Sequence, residues 1–242
     1  MSEGTYNEWL ERMEQNSKEK QQAFMDDIAR RLKRPRSTTA PMHPYRGAPE
    51  YWQEFNWSPD ERLDQFTTNF EAAGGHVVRV ADMDGVKAFI EFKAQEMEAR
   101  YILRQNVSDL SDLKLEETLL NTRVSVWNTV IGEAWKDRAA EADIGLVIAD
   151  YAVAYTGSIT VLSSPEKGRS VSLLPTVLIA IVPLERLCTR LGEVLEKFDH
   201  SGQGQLPAGI HFISGPSRSA DIENDLTIGV HGPGIVFALI VG

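Results

Sequence analysis

The chain has 242 residues, 42% of them hydrophobic, with a formal net charge of −10 and a pI near 5.0; this supports a sizeable core in one large α/β domain or two small ones. The acidic balance argues against a general nucleic-acid binder, which needs a basic face, and against adhesion to anionic lipid, while allowing a local basic pocket for a small anion. The single cysteine, Cys188, permits no intrachain disulfide and falls short of the roughly four thiolates that hold an iron–sulfur cluster.

The first residues, MSEGTYNEWLERMEQ, are acidic and lack a signal-peptide core. The apolar runs at 177–184 and 235–241 are far shorter than the ~20 residues of a membrane helix. A cytoplasmic protein without membrane insertion is expected. Residues 3–34 carry a sparse helical stripe of Trp9, Met13, Phe24, Ile28 and Leu32, predicting one long helix or two broken near Asn16-Ser17. Arg30, Arg31, Lys33 and Arg34 crowd its end, as the helix dipole favours. A proline- and aromatic-rich connector follows over 35–57. Residues 1–57 thus form an N-terminal extension, and 58–242 an α/β domain.

Ser58-Pro59-Asp60-Glu61 has the chemistry of a helix start, with Leu63, Phe66 and Phe70 facing inward and Gly74-Gly75 as the stop. A strand over 76–80 precedes a second helix predicted from Asp84 to Arg104, with Val86, Phe89, Ile90, Phe92 and Met97 on its apolar side. Residues 123–127 suit a strand, 132–142 a helix, and 144–149 a strand covered on both faces. A loop over 150–158, a strand over 159–162, a charged excursion over 163–170 and a strand over 177–182 come next. A helix over 184–197, containing Cys188 as a small buried hydrophobe, is expected after Pro183. This alternation predicts an open, mainly parallel sheet with helices on both faces.

Residues 210–242 read IHFISGPSRSADIENDLTIGVHGPGIVFALIVG. They predict a buried strand over 210–214, a turn at Gly215-Pro216 and a helix capped by Ser217, with Asp221 and Glu223 in its first turn. Two strands follow, over 227–231 and 235–241. Two roles suit Ser217 and Arg218. They form an anion receptor of free amides and a guanidinium at a helix start, or Ser217 simply caps and Arg218 pairs with Asp221 or Glu223. Thr156, Gly157 and Ser158 offer hydroxyls and a flexible backbone to the same anion, or form a plain turn. Asp150, at a strand end, is the first choice among the acids for proton transfer, with capping of the following turn as its other role.

The five histidines show no zinc-hydrolase spacing, and no metal site is expected. His211 and His231 lie in apolar strands and read as sheet histidines; His231, at a strand end before Gly232-Pro233, is the one expected to stand behind the anion site. P-loop, GxGxxG and GxSxG motifs are absent.

Short motifs occur in a set order: Ala142-Asp143-Ile144-Gly145, Ala149-Asp150-Tyr151-Ala152, Thr156-Gly157-Ser158, Ser172-Leu173-Leu174-Pro175, then GPSRSADIE and GVHGP. On these motifs residues 60–242 resemble the LutC/YkgG family, whose members carry a LUD domain. The resemblance implies a fold like that of phosphosugar isomerases, CoA-transferases and 5-formyltetrahydrofolate cyclo-ligases, with a small carboxylate or phosphate bound at strand ends. It also implies membership of a three-component system that oxidises L-lactate to pyruvate. The two partner proteins of that system carry the iron–sulfur clusters, and no cofactor is expected on this chain. Matching positions are Asp143, Asp150, Thr156, Gly157, Ser158, Gly215, Pro216, Ser217, Arg218, Asp221 and Glu223. The family often has an acid before Thr-Gly, where this chain has Tyr155. A stand-alone isomerase- or cyclo-ligase-like enzyme and a non-catalytic assembly subunit are the alternative functions.

Overall fold

The computed structural model describes residues 3–36, 39, 55–201, 206–220 and 226–242. The chain divides into two units, Met1–Trp52 and Gln53–Gly242. In the first, α1 (Glu3–Arg31) is one continuous helix, unbroken at Asn16-Ser17. Trp9, Met13 and Phe24 are exposed on it. Asp27 accepts hydrogen bonds from Arg30 and Arg31, so these two cations at the helix end have a local carboxylate partner. Most of the 35–57 connector lies outside the described residues.

The second unit opens with α2 (Pro59–Ala72), which starts where the local chemistry demands. The Ser58 hydroxyl accepts the Glu61 amide while Glu61 Oε2 accepts the Ser58 amide at 2.8 Å, so two orphan donors are satisfied reciprocally. These bonds from Ser58 hold the Glu61 carboxyl below its ordinary range. Phe66 and Phe70 form the buried face, stacked 5.3 Å apart. Gly74 adopts φ +88° and turns the chain into β1 (His76–Val80).

The next helix, α3 (Met83–Glu96), is capped by Asp82, whose carboxylate accepts the Gly85 amide. It stops short of the predicted end at Arg104. Residues 101–104 instead form β2 (Tyr101–Arg104), buried throughout. The cause is distant in sequence: Asp143 Oδ2 accepts the amides of Arg100 and Tyr101 at 2.8 and 2.9 Å, and β2 gains strand partners on both sides. Val86 and Ile90 are buried as expected, whereas Phe92 is exposed.

Two one-turn helices, α4 (Ser108–Ser111) and α5 (Leu115–Thr118), lead to β3 (Arg123–Val126). A short α6 (Trp135–Glu141) precedes β4 (Ile144–Ile148), whose residues are all buried. The expected loop over 150–158 is a hairpin, formed by β5 (Tyr151–Val153) and β6 (Ser158–Leu162). After α7 (Ser170–Leu173) and β7 (Val177–Pro183), the expected helix over 184–197 splits. A 3-10 turn (Leu184–Arg186) and β8 (Leu187–Cys188) come first, and α8 (Leu191–Ser201) follows. Leu187 and Cys188 are captured as a strand because they pair with Ala152 and Val153. Cys188 remains buried, and its burial pushes the thiol pKa up.

The strand over 210–214 is also displaced from its expected place. β9 (Ile210–Ile213) pairs with β6 at the edge of a second sheet and is half-exposed. No helix starts at Ser217. β10 (Arg218–Ala220) pairs antiparallel with β11 (Leu226–Ile228), because the Ser217 amide donates to Pro233 O and its carbonyl accepts from Gly229. Asp221 and Glu223 lie outside the described residues. The chain closes with β12 (Ile235–Val241).

Six strands make a fully parallel sheet in the order β1-β12-β7-β4-β2-β3, and a four-stranded sheet runs β8-β5-β6-β9. Strand alternation sends Ile144, Leu146, Ile179 and Leu239 to one face, where α3, α4 and α5 supply Val86, Ile90, Leu110 and Leu115. Val147, Leu178, Ala180 and Ala238 face the other, against Phe66, Phe70 and the small sheet. Each fully buried Val, Leu, Ile or Phe side chain among these contributes about 1.5–3 kcal/mol. The expected α/β architecture holds, with the second sheet as an addition on one face.

Candidate functional site

The sequence brings two motifs to the far end of α2. Gly157 (φ +55°) leaves no room for a side chain: a Cβ there would stand 2.6 Å from the Phe70 amide nitrogen. Asn69 Nδ2 ties the same turn down by donating to Ala154 O and Tyr155 O at 2.9 and 3.1 Å. Gly215 (φ +94°) abuts the Ala73 carbonyl, 2.9 Å from where its Cβ would be. Arg218 Nη2 donates to that carbonyl at 2.5 Å, placing a cation at the helix C-terminus, where the dipole favours it. The guanidinium thus turns toward the end of α2, and the helix start at which the sequence offers it an anion, or a pair with Asp221 or Glu223, does not form.

Three hydroxyls join these turns. Ser158 Oγ lies 2.7 Å from Thr156 Oγ1 and 2.9 Å from Ser214 Oγ, and Ser158 is buried. Phe55 and Trp57 pack on Tyr155 with ring centroids 5.3 and 6.3 Å away. These two aromatics of the connector therefore cover the turn beside Thr156.

A groove of 520 Å³ adjoins this corner, lined by Leu173, Leu174, Thr176, Ile228, His231 and neighbouring glycines. Gly232 is held tightly, since a Cβ there would approach the Ser217 Cβ to 3.1 Å. The Ser-Leu-Leu-Pro and Gly-Val-His-Gly-Pro motifs, over fifty residues apart, thereby face each other. His231 is exposed at the rim.

Strand direction places this whole assembly at the amino edge of the parallel sheet. Gly74 precedes β1, Thr176 precedes β7 and Pro233 precedes β12. Asp143 also belongs to that edge, but its carboxylate is engaged with the Arg100 and Tyr101 amides. Asp150 lies at the opposite, carboxyl edge. Its Oδ2 accepts the Leu162 amide at 2.8 Å and its Oδ1 meets Lys167 Nζ at 2.6 Å. Asp150 and the Thr156–Arg218 corner are therefore not brought together.

The carboxyl edge holds residues that sequence reasoning missed. Between β2 and β4 the connections diverge, β2 passing outward to β3 and β4 to β7; ligands of open α/β sheets bind at such switch points. Here Gln105 fills the gap. It is fully buried, its Oε1 accepts the Ile148 amide at 2.9 Å, and its Nε2 has no partner among the described residues. Residues 163–169 lie alongside, held by Lys167 to Asp150 and by the Asn106 amide to Glu166 O. No local pattern marks Gln105, because its role follows only from the strand order.

Titration is perturbed at His211, whose pKa is lowered by burial and secondarily by Arg169; its Nε2 sits 3.3 Å from Ser163 Oγ. Among the described residues no cluster of His, Cys, Asp and Glu is placed to hold a metal ion. Nor is any helix long and apolar enough to cross a membrane.

Comparison with known proteins gives one consistent answer. The family model of the LUD domain matches residues 63–241. Lactate utilization protein C of Halalkalibacterium halodurans is 35% identical over 220 residues, covering 89% of this chain and 94% of that protein. Protein YkgG of Escherichia coli K12 is 28% identical over 236 residues, covering 90% and 96%. The crystal structure of a DUF162 family protein from Deinococcus radiodurans shares the fold, with a TM-score of 0.57 at 18% identity over 77% of this chain and 99% of that one. On the extent of the domain match and of these relatives, the chain belongs to the LUD-domain family.

Proposed function

We propose that this protein is a component of a multi-protein system that oxidises L-lactate to pyruvate and allows growth on L-lactate. The carrying observation is the likeness, over 87–89% of this chain, to proteins named lactate utilization protein C. With a single, buried cysteine, the chain leaves iron–sulfur chemistry to two partner proteins and binds no cluster itself. Its own part is to hold a small carboxylate or phosphate at the amino-edge corner. Thr156, Gly157, Ser158, Gly215 and Ser217 shape that corner, and Arg218 uses the guanidinium N–H groups left over from its bond to Ala73. His231 lies at the rim of the groove that adjoins it, and Asp143 lies at the same sheet edge with its carboxylate held by the Arg100 and Tyr101 amides.

The test is a gene disruption in a strain with no second lactate oxidase. Growth on L-lactate as sole carbon source should fail and return with the intact gene. Purification of a tagged chain should bring down two cysteine-rich iron–sulfur proteins. Unimpaired growth on lactate would overturn the role.

A second reading is favoured by the exposed Trp9, Met13 and Phe24 of α1: a non-catalytic assembly subunit that docks through this helix. It predicts that deleting residues 1–57 abolishes lactate growth while Arg218→Ala leaves it intact.

A further inference from the structure

A cavity of 280 Å³ lies beside β3, the edge strand of the parallel sheet. Tyr101, Arg123 and Ser125 line it from the strands, and Glu133, Trp135 and Arg138 from the segment that carries α6. Tyr101 and Arg123 are register partners on β2 and β3, so their side chains share one face. The Arg123 guanidinium lies over the Tyr101 ring, 5.0 Å from its centroid.

Two groups in this cavity lack the partners that buried and charged groups ordinarily have. Tyr101 is 7% exposed and its hydroxyl makes no hydrogen bond among the described residues. Buried hydroxyls nearly always find a partner, and one that does not calls for an atom from outside the chain. Arg123 is exposed and pairs with no carboxylate among the described residues. Arg138, by contrast, is matched by Glu133 and Glu141. The cavity therefore presents one guanidinium without a carboxylate partner and one buried hydroxyl without a hydrogen bond among the described residues. Its volume falls just below the ~300–1,000 Å³ of pockets for drug-sized ligands, which suits a molecule of a few heavy atoms.

We propose that this cavity binds a small monocarboxylate, with Arg123 gripping the carboxylate through two N–H donors and Tyr101 donating its hydroxyl proton to a ligand oxygen. Arg123 is the movable wall. Lifted from the ring, it opens the way to the phenol. The site is separate from the amino-edge corner and shares no lining residue with it. Its location rests on this geometry alone, whereas the choice of a 2-hydroxy or 2-oxo acid rests on the lactate role proposed above.

The full chain is titrated by isothermal calorimetry with L-lactate, pyruvate, acetate and inorganic phosphate. Arg123→Gln, Tyr101→Phe and the control Arg79→Gln are titrated in turn, each first shown by thermal melting to be folded. An acid should bind the native protein. Arg123→Gln should weaken binding about tenfold or more, as loss of a charge-assisted pair implies. Tyr101→Phe, which keeps the ring, should weaken it about fivefold. Arg79→Gln should leave it unchanged. If Arg123→Gln does not fold, Arg123→Lys keeps the charge without the fork and should still weaken binding. Binding of no acid, binding of phosphate alone, or equal loss in the Arg79 control would overturn the proposal. Loss of lactate growth on disruption, together with acid binding that Arg123→Gln does not weaken, overturns the cavity and spares both the role and the amino-edge corner; acid binding that Arg123→Gln weakens, with normal growth, spares the cavity and overturns the role.

Discussion

Removing the Asp150 carboxylate separates its two possible roles, and the structure sets the size of the effect. Asp150 and Lys167 are 16% and 21% exposed, with Oδ1 and Nζ 2.6 Å apart, and Oδ2 accepts the Leu162 amide. A charge-assisted hydrogen bond contributes roughly 1.5–3 kcal/mol. Breaking a fully buried pair costs about 3–5 kcal/mol and an exposed one less than about 1; this pair lies between. Asp150→Ala should therefore destabilise the fold by about 2–4 kcal/mol. Asp150→Asn retains an acceptor for Leu162 and should cost about 1–2 kcal/mol. The assay is urea unfolding followed by tryptophan fluorescence, with complementation of lactate growth in parallel. As an anchor for residues 163–169, Asp150 predicts that Asn supports growth. An Asn variant of native stability that abolishes growth would refute the anchoring argument and restore Asp150 as a proton-transfer group. An Ala variant within about 0.5 kcal/mol of native would refute the energetic estimate.

Ser58→Ala removes one half of the capping box and should lower stability by about 1 kcal/mol, read as a shift in urea midpoint without a change in slope. Gly145→Ala puts a Cβ 2.1 Å from the Val171 carbonyl oxygen, so backbone must move; a loss of about 3 kcal/mol or more is expected, or failure to accumulate folded protein. The native state binds a proton at His211 less readily than the unfolded chain does, because its pKa is lowered. Its contribution is therefore complete above the unfolded value near about 6.5 and is lost as pH falls from there through the lowered native value. The pH dependence of unfolding free energy should be shallower over this window in His211→Gln. Cys188, buried and with a raised pKa, should react with a thiol reagent at neutral pH far more slowly than the unfolded chain does.

Where the information is local, the order of residues suffices. The Ser58 cap and its Glu61 return bond, the Gly74 stop, and the buried runs of β4, β7 and β12 each follow from neighbours a few residues away or from side-chain periodicity. The motif order also sufficed to identify the family. The tertiary structure alone decided that residues 101–104 and 187–188 are strands, because the Asp143 carboxylate and the edge of β5 reach them from far along the chain. It decided equally that Ser217 starts no helix, since its amide is taken by Pro233. Gly145, Gly157 and Gly215 are required by backbone that packs against them from distant elements, a demand with no local trace. For the same reason Asp150 and Arg218, both candidate site residues, stand at opposite edges of the sheet. Strand direction is a property of pairing, and pairing is written in contacts that only the folded chain makes.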